Sequence, residues 1–231
     1  FPLIDGHNDL PWVVHSSKQA GMSIARYDLS RLHPETDTDT PRLKEGHVAA
    51  QFFAAFTPTL AEKPGRMTLE LIDLIRQISE TDPANYQFAT SANEIKRAFR
   101  DGKIAVLATV EGCTGLENSL NPLRVWHKAG VRLVTLCHNE TLDWVDSATD
   151  VPRHNGLTKF GEAVVLELNR LGIIVDLAHA APKTMHKVLD ISRAPVLFSH
   201  NNALSLCDHP RNAPDDVLDR IRAKKSVIMA T

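Results

Sequence analysis

The chain has 231 residues, 43% hydrophobic and 23% charged, with a formal net charge of −2 and a pI near 6.6. This is the balance of an ordinary globular chain with room for one large or two small domains, and it lacks the basic footprint of a nucleic-acid or membrane-surface binder. No apolar run approaches the roughly 18–20 residues of a membrane span, and the opening residues read as a strand rather than a signal peptide.

Leu3 and Ile4 are strand formers, and Gly6 permits close backbone approach. His7 and Asp9 then stand at i and i+2, on one face of an extended chain. Residues 10–27 read as partly helical, with apolar Val13, Val14, Ala20 and Met22, and 33–46 as a polar loop. An apolar run over 47–56, ended by Pro58, is a buried strand. Residues 67–80 carry Leu69, Ile72, Ile75 and Ile78 at helical spacing. Ser91 and Glu94 form a capping box for the next helix, which Gly102 stops. Residues 103–111 form the third predicted strand. A helix from Asn121-Pro122 to Gly130 leads to the fourth, over 131–137. A polar loop over 139–155 precedes a helix capped by Thr158 and closed by Gly172. A strand over 173–177, a helix over 182–191 and a strand over 195–198 follow. The helix over 214–224 has Asp215 and Asp216 in its first turn, where the dipole favours acids. A seventh strand opens at 226–230.

Strands that are nearly continuous apolar runs, alternating with helices, imply an α/β fold with a parallel sheet covered on both faces. An open doubly wound sheet would carry a Gly-rich phosphate turn after its first strand; Gly6-His7-Asn8 is not one. A (β/α)8 barrel of the TIM type fits better, because polar residues mark the strand ends: His7/Asp9, Thr57, Glu111, His138, His179 and His200. Such a barrel has eight strands and typically ~250 residues. Residues 1–231 are therefore expected to be a single catalytic barrel domain that stops within strand seven.

His7, Asp9, Glu111, His179 and His200 are nitrogen and carboxylate donors of the kind zinc accepts. Two ions ~3.5–4 Å apart need a bridge. Glu111, on an intermediate strand, can supply it with its two oxygens, leaving His7 and Asp9 for one Zn2+ and His179 and His200 for the other. A water or hydroxide bridging the pair would be acidified and serve as nucleophile. His138 could stabilise an oxyanion at a reacting carbonyl, and a hydrogen bond to loop backbone is an equal reading of that residue alone. The Arg211 fork suits a substrate carboxylate, although a surface ion pair with Asp215 or Asp216 is the plainer reading of that residue alone. The other seven histidines are assigned to loops, helix faces or solvent. Cys113, Cys137 and Cys207 form no Cys-x-x-Cys and no disulfide framework, and Cys113 is read as a buried small residue.

Asp-Gly-His-Asn-Asp-Leu-Pro-Trp (5–12), Thr-Val-Glu-Gly (109–112), Leu-Asn-Arg-Leu-Gly-Ile-Ile-Val-Asp-Leu-Ala-His (168–179), Ser-Arg-Ala-Pro-Val-Leu-Phe-Ser-His (192–200) and Arg-Asn-Ala-Pro-Asp-Asp-Val-Leu (211–218) resemble the renal-type membrane dipeptidases. The resemblance runs in order through essentially the whole chain. It implies a dizinc metallodipeptidase in an amidohydrolase-like barrel, hydrolysing dipeptides with a free C-terminal carboxylate. The family's metal ligands fall on His7, Asp9, Glu111, His179 and His200, and its substrate-contacting residues on His138 and Arg211. It also implies an eighth-strand Asp and a partner for Cys207 beyond Thr231. Poor hydrolysis by residues 1–231 alone is therefore expected. A small peptide is the expected partner, with a homodimer as a further option and a cytoplasmic, bacterial-type location favoured over a secreted or anchored one. Other amidohydrolase chemistry (cyclic amide, lactam or ester) and an inactive metal-binding remnant are the alternatives.

Overall fold

Residues 3–17 and 23–231 are described by a computed structural model. The chain divides into two compact units, Phe1–Phe56 with Thr68–Thr109, and Thr57–Met67 with Val110–Thr231.

In the first unit, β1 (Leu3–Asp5) pairs parallel with β2 (Val48–Phe56), setting Leu3 opposite Val48 and Asp5 opposite Gln51. β3 (Tyr86–Phe88) lies parallel beside β4 (Ile104–Glu111), and the strand order is β1-β2-β4. Every residue of β4 is buried, as are all but the end residues of β2, so both strands are covered on both faces. Helices α1 (Leu10–Ser16), α2 (Ile24–Tyr27), α3 (Thr40–Glu45), α4 (Pro64–Thr81) and α5 (Ala92–Arg100) complete this part of the chain. On α4, Leu71, Ile72, Leu74, Ile75 and Ile78 face inward, each burial favourable by about 1.5–3 kcal/mol, while Leu69 points outward. The Ser91 hydroxyl caps α5 by accepting the Glu94 N–H. The Glu94 carboxylate reaches back one residue further than the usual box, to the N–H and hydroxyl of Thr90.

β4 carries the chain into the second unit. There a 3-10 turn (Cys113–Leu116) and α6 (Asn121–Ala129) lead to β5 (Val131–Thr135). Then come α7 (Lys159–Leu171), β6 (Ile174–Asp176), α8 (Pro182–Ile191), β7 (Leu197–Phe198), α9 (Asp215–Ala223) and β8 (Val227–Ile228). The strands run parallel in the order β5-β6-β7-β8, with Thr135 opposite Asp176 and Asp176 opposite Leu197. Beyond the end of β4, the Gly112 and Cys113 N–H groups continue the ladder onto Thr135 and Leu136 carbonyls.

The structure changes three expectations. Residues 40–45 are helical, not loop: the Asp39 side chain accepts the Arg42 N–H and Pro41 sits in the first turn, so the residues read as breakers are a helix start. β3, which the sequence reading passed over, is a strand of three residues. β1 ends at Asp5, so His7 and Asp9 lie past the strand rather than in it. Ala20 and Met22 fall outside the described residues. Among the described residues, no helix is long and apolar enough to cross a membrane.

Candidate metal centre

In the first unit, a tight exit from β1 brings His7 and Asp9 together. Asp5 Oδ1 accepts the His7 N–H at 3.1 Å, Asn8 Oδ1 accepts the Leu10 N–H at 2.9 Å, and the Asn8 carbonyl accepts the Ala54 N–H at 2.9 Å. Asp9 opens α1 without capping it with its side chain, and His7 Nε2 stands 3.3 Å from Asp9 Oδ2. The pair borders a cavity of about 410 Å3 that Glu35 and Asp37 also line.

In the second unit, four strand ends deliver one cluster. Glu111 closes β4; His138, His179 and His200 follow β5, β6 and β7. Around Glu111 Oε1 stand the Nε2 atoms of His179 at 3.1 Å, His200 at 3.7 Å and His138 at 4.0 Å. The His179 and His200 Nε2 atoms are 3.0 Å apart, and the His138 ring packs on His179 with centroids 4.2 Å apart. Glu111 and His179 are buried, and His138 and His200 are partly exposed. His179 adopts φ +67°, a left-handed backbone that a non-glycine residue takes up rarely and at a cost, and that recurs at functional sites.

The tautomer of His179 decides what this cluster can bind. Its Nδ1 lies 3.1 Å from Asn139 Oδ1. An amide oxygen only accepts, so the ring proton belongs on Nδ1 and the Nε2 lone pair faces the Glu111 carboxylate. Lone-pair atoms at 3.1 Å repel one another unless a proton or a cation stands between them. Imidazole nitrogens converging on one carboxylate oxygen form a set that suits zinc, and ligand atoms of Glu111, His138 and His179 all lie within 4.8 Å of one another. The residues present therefore fit a metal ion.

Arg211 turns inward. Its counter-ions on the plainer reading are engaged elsewhere: Asp215 accepts from Ser205 Oγ at 2.8 Å, and Asp216 pairs with His186 at 3.0 Å. Burial lowers the guanidinium pKa, against the pull of Glu111 and Asp176, and its buried Nε has no hydrogen-bond partner. With Asn139, Glu140, Thr149, Asp150 and His209 it lines a cavity of about 550 Å3. Asn139 escaped the sequence reading, and His209 was among the histidines assigned to loops, helix faces or solvent; Asn139 directly follows His138, and that adjacency was the one available signal.

Cys113 and Cys137 are both buried, which drives their thiols up, and Cys207 is exposed; all three are free. A family model for membrane dipeptidases, peptidase family M19, matches residues 1–231. The chain belongs to this family. An uncharacterised dipeptidase of Schizosaccharomyces pombe is 37% identical over 99% of this chain and 59% of its own length. Dipeptidase 3 of Mus musculus is 39% identical over 100% of this chain and 47% of its own length. The chain thus spans about half the length of these curated relatives. Among solved structures, a metallopeptidase from Rhodobacter sphaeroides, liganded with a phosphinate mimic of the dipeptide L-Ala-D-Ala, superposes with a TM-score of 0.83 at 22% identity. It covers 100% of this chain and 73% of that one. An amidohydrolase from Pseudomonas aeruginosa gives 0.79 at 22% identity over 99% of this chain and 62% of its own. These likenesses bear out the α/β barrel-type fold expected from the strand–helix alternation.

Proposed function

We propose that this protein hydrolyses dipeptides as a zinc-dependent dipeptidase. His7 and Asp9 hold one ion, His179 and His200 the other, and Glu111 is shared. Family membership supports the reaction class, and the turning of the His179 Nε2 lone pair onto Glu111 Oε1 at 3.1 Å is the observation that carries the metal reading. When bound, zinc supplies Lewis acidity and lowers the pKa of water.

The chain's own residues do the rest. Arg211 offers its fork to the C-terminal carboxylate of the substrate, and its low-dielectric surroundings strengthen that pairing. His138 holds a ring proton for the oxygen of the scissile carbonyl as negative charge develops there. Asn139 keeps the His179 proton on Nδ1. Elemental analysis after dialysis should show about two zinc equivalents per chain, and dipeptides should be cleaved in preference to their C-terminal amides. A chain that retains no zinc, or cleaves amides and acids equally, overturns the reading.

A further inference from the structure

We infer that the buried carboxylate of Asp176 sets the ring tautomer of His200 through the hydroxyl of Ser199, making Asp176 and Ser199 positioning residues for a metal ligand. The inference rests on the reading of His200 as a ligand.

Asp176 ends β6 with no exposed surface, and four groups surround its two oxygens. Oδ1 accepts the N–H of Ser199 at 2.9 Å and of Ala178 at 3.1 Å. Oδ2 lies 2.6 Å from the Thr135 hydroxyl and 2.7 Å from the Ser199 hydroxyl. The two backbone N–H groups donate to Oδ1, and the Thr135 and Ser199 hydroxyls donate to Oδ2, so both hydroxyl hydrogens point at Asp176. Ser199 has one hydroxyl hydrogen, and it is used there. Yet Ser199 Oγ also lies 2.8 Å from His200 Nδ1. With its hydrogen committed, Oγ can only accept, so the His200 proton sits on Nδ1. Its Nε2 then presents a lone pair, 3.7 Å from Glu111 Oε1 and 3.0 Å from His179 Nε2.

The two histidines are therefore set alike by different means. Asn139, itself exposed, fixes His179 through Oδ1, and the Asp176–Ser199 pair fixes His200 from the buried sheet. Thr135, Asp176 and Ser199 come from β5, β6 and the end of β7, so three neighbouring strands hold one imidazole. Outer partners of this kind are generally worth about 10–100-fold in metal affinity.

The test is zinc affinity of the 231-residue chain by chelator competition at neutral pH, with long-range 15N–1H NMR of the His200 ring in the metal-free chain. Ser199→Ala should weaken zinc binding by about 10-fold or more and let His200 populate the Nε2–H tautomer. Ser199→Thr, which keeps the hydroxyl, should restore both readouts. Should Thr not fit the buried site, as a lost melting transition would reveal, Asp176→Asn replaces it: its amide permits the Ser199 hydroxyl to turn, so the tautomer should become mixed. His200→Ala separates the two claims. If it weakens zinc binding while Ser199→Ala leaves affinity and tautomer unchanged, the positioning role is wrong and the ligand reading stands. If His200→Ala leaves zinc affinity unchanged, the ligand reading falls and takes the inference with it.

Discussion

Two buried carboxylates in the second unit do opposite work. Asp146, in the segment after β5, has no exposed surface and accepts the N–H groups of Arg153 at 2.7 Å, His154 at 3.0 Å and Gly156 at 2.7 Å. Glu111, nearly as buried, faces imidazole Nε2 atoms at 3.1–4.0 Å. Both are carboxylates removed from water, so burial does not distinguish them. The sign of what surrounds them does. Asp146 is ringed by backbone donors and closes a loop, whereas Glu111 Oε1 faces the His179 Nε2 lone pair at 3.1 Å, a meeting that suits a cation. A carboxylate satisfied by backbone is a structural staple, and one aimed at acceptors is a site held at a cost in stability.

The largest effect expected from breaking this contrast is at the staple. Asp146→Ala removes the acceptor of three N–H groups, that of Gly156 buried and those of Arg153 and His154 part-buried, for a total on the order of 2–4 kcal/mol. Denaturant unfolding should show it, while zinc content per folded molecule stays unchanged. A parallel loss of zinc would mean that the staple and the cluster are not separable. Next comes Glu111→Gln, which keeps the shape and removes the charge. Zinc affinity should fall by about 100-fold or more, beyond what outer partners alone contribute. In the metal-free chain the new amide can donate to His179 Nε2, so the melting temperature should fall by less than in Asp146→Ala. A fall as large as that in Asp146→Ala would show that Glu111 is a stabilising acceptor of the same kind.

How much of this was legible in the sequence follows from the same distinction. The helix over 182–191 coincides with α8, and the caps at Ser91 and Thr158 are made as read, because caps and periodicity are local. The ligand candidates could be picked out because strand ends in a parallel fold share one side, so position along the sequence implies neighbourhood in space. What stayed hidden was relational. Asp146 and Asp176 are single acids in ordinary stretches, and their donors lie up to 10 and 41 residues away. β3 is three residues long, too short to show periodicity, and α3 opens on Asp39 and Pro41, which also serve in turns.

Arg211→Lys sharpens the contrast from the substrate side. The lysine keeps the charge and loses the fork, at a cost on the order of 1.5–3 kcal/mol for a charged hydrogen bond. In a version extended past Thr231, turnover of dipeptides should fall much more than turnover of their C-terminal amides. Equal losses would reassign Arg211 to structure.

The smallest effect is with pH. Burial pushes the Asp146 carboxyl up, but the N–H groups of Arg153, Gly156 and His154 outweigh it and hold the pKa below the ordinary range. A depressed folded value means that the group's contribution is complete above the unfolded value of about 3.9 and is lost as pH falls through the lower folded one. Asp39, held down by the His33 and Arg42 N–H groups and the Arg42 guanidinium against its own burial, adds in the same direction. Unfolding free energy measured from pH 6 to pH 2 should therefore drop below about pH 4, and Asp146→Asn should flatten that drop. An unchanged slope in the variant would remove Asp146 from the account.

The staple also bears on the segment that walls the cavity beside Arg211. Residues 139–157 contain no helix or regular strand, yet Asp146 gathers three of their N–H groups. Within the same segment Thr149 donates to the Asn139 carbonyl, and His154 bonds the Leu142 carbonyl. Gly156, at φ +106°, sits so close to α8 that an added Cβ would meet the Lys183 carbonyl oxygen at 2.7 Å. Asn139, Glu140, Thr149 and Asp150 of this segment form one wall of the cavity beside Arg211. A wall tied in this way does not swing like a gate. Limited proteolysis should therefore spare it, and on the proposed function its side chains would meet a peptide already in place, with little ordering entropy to spend.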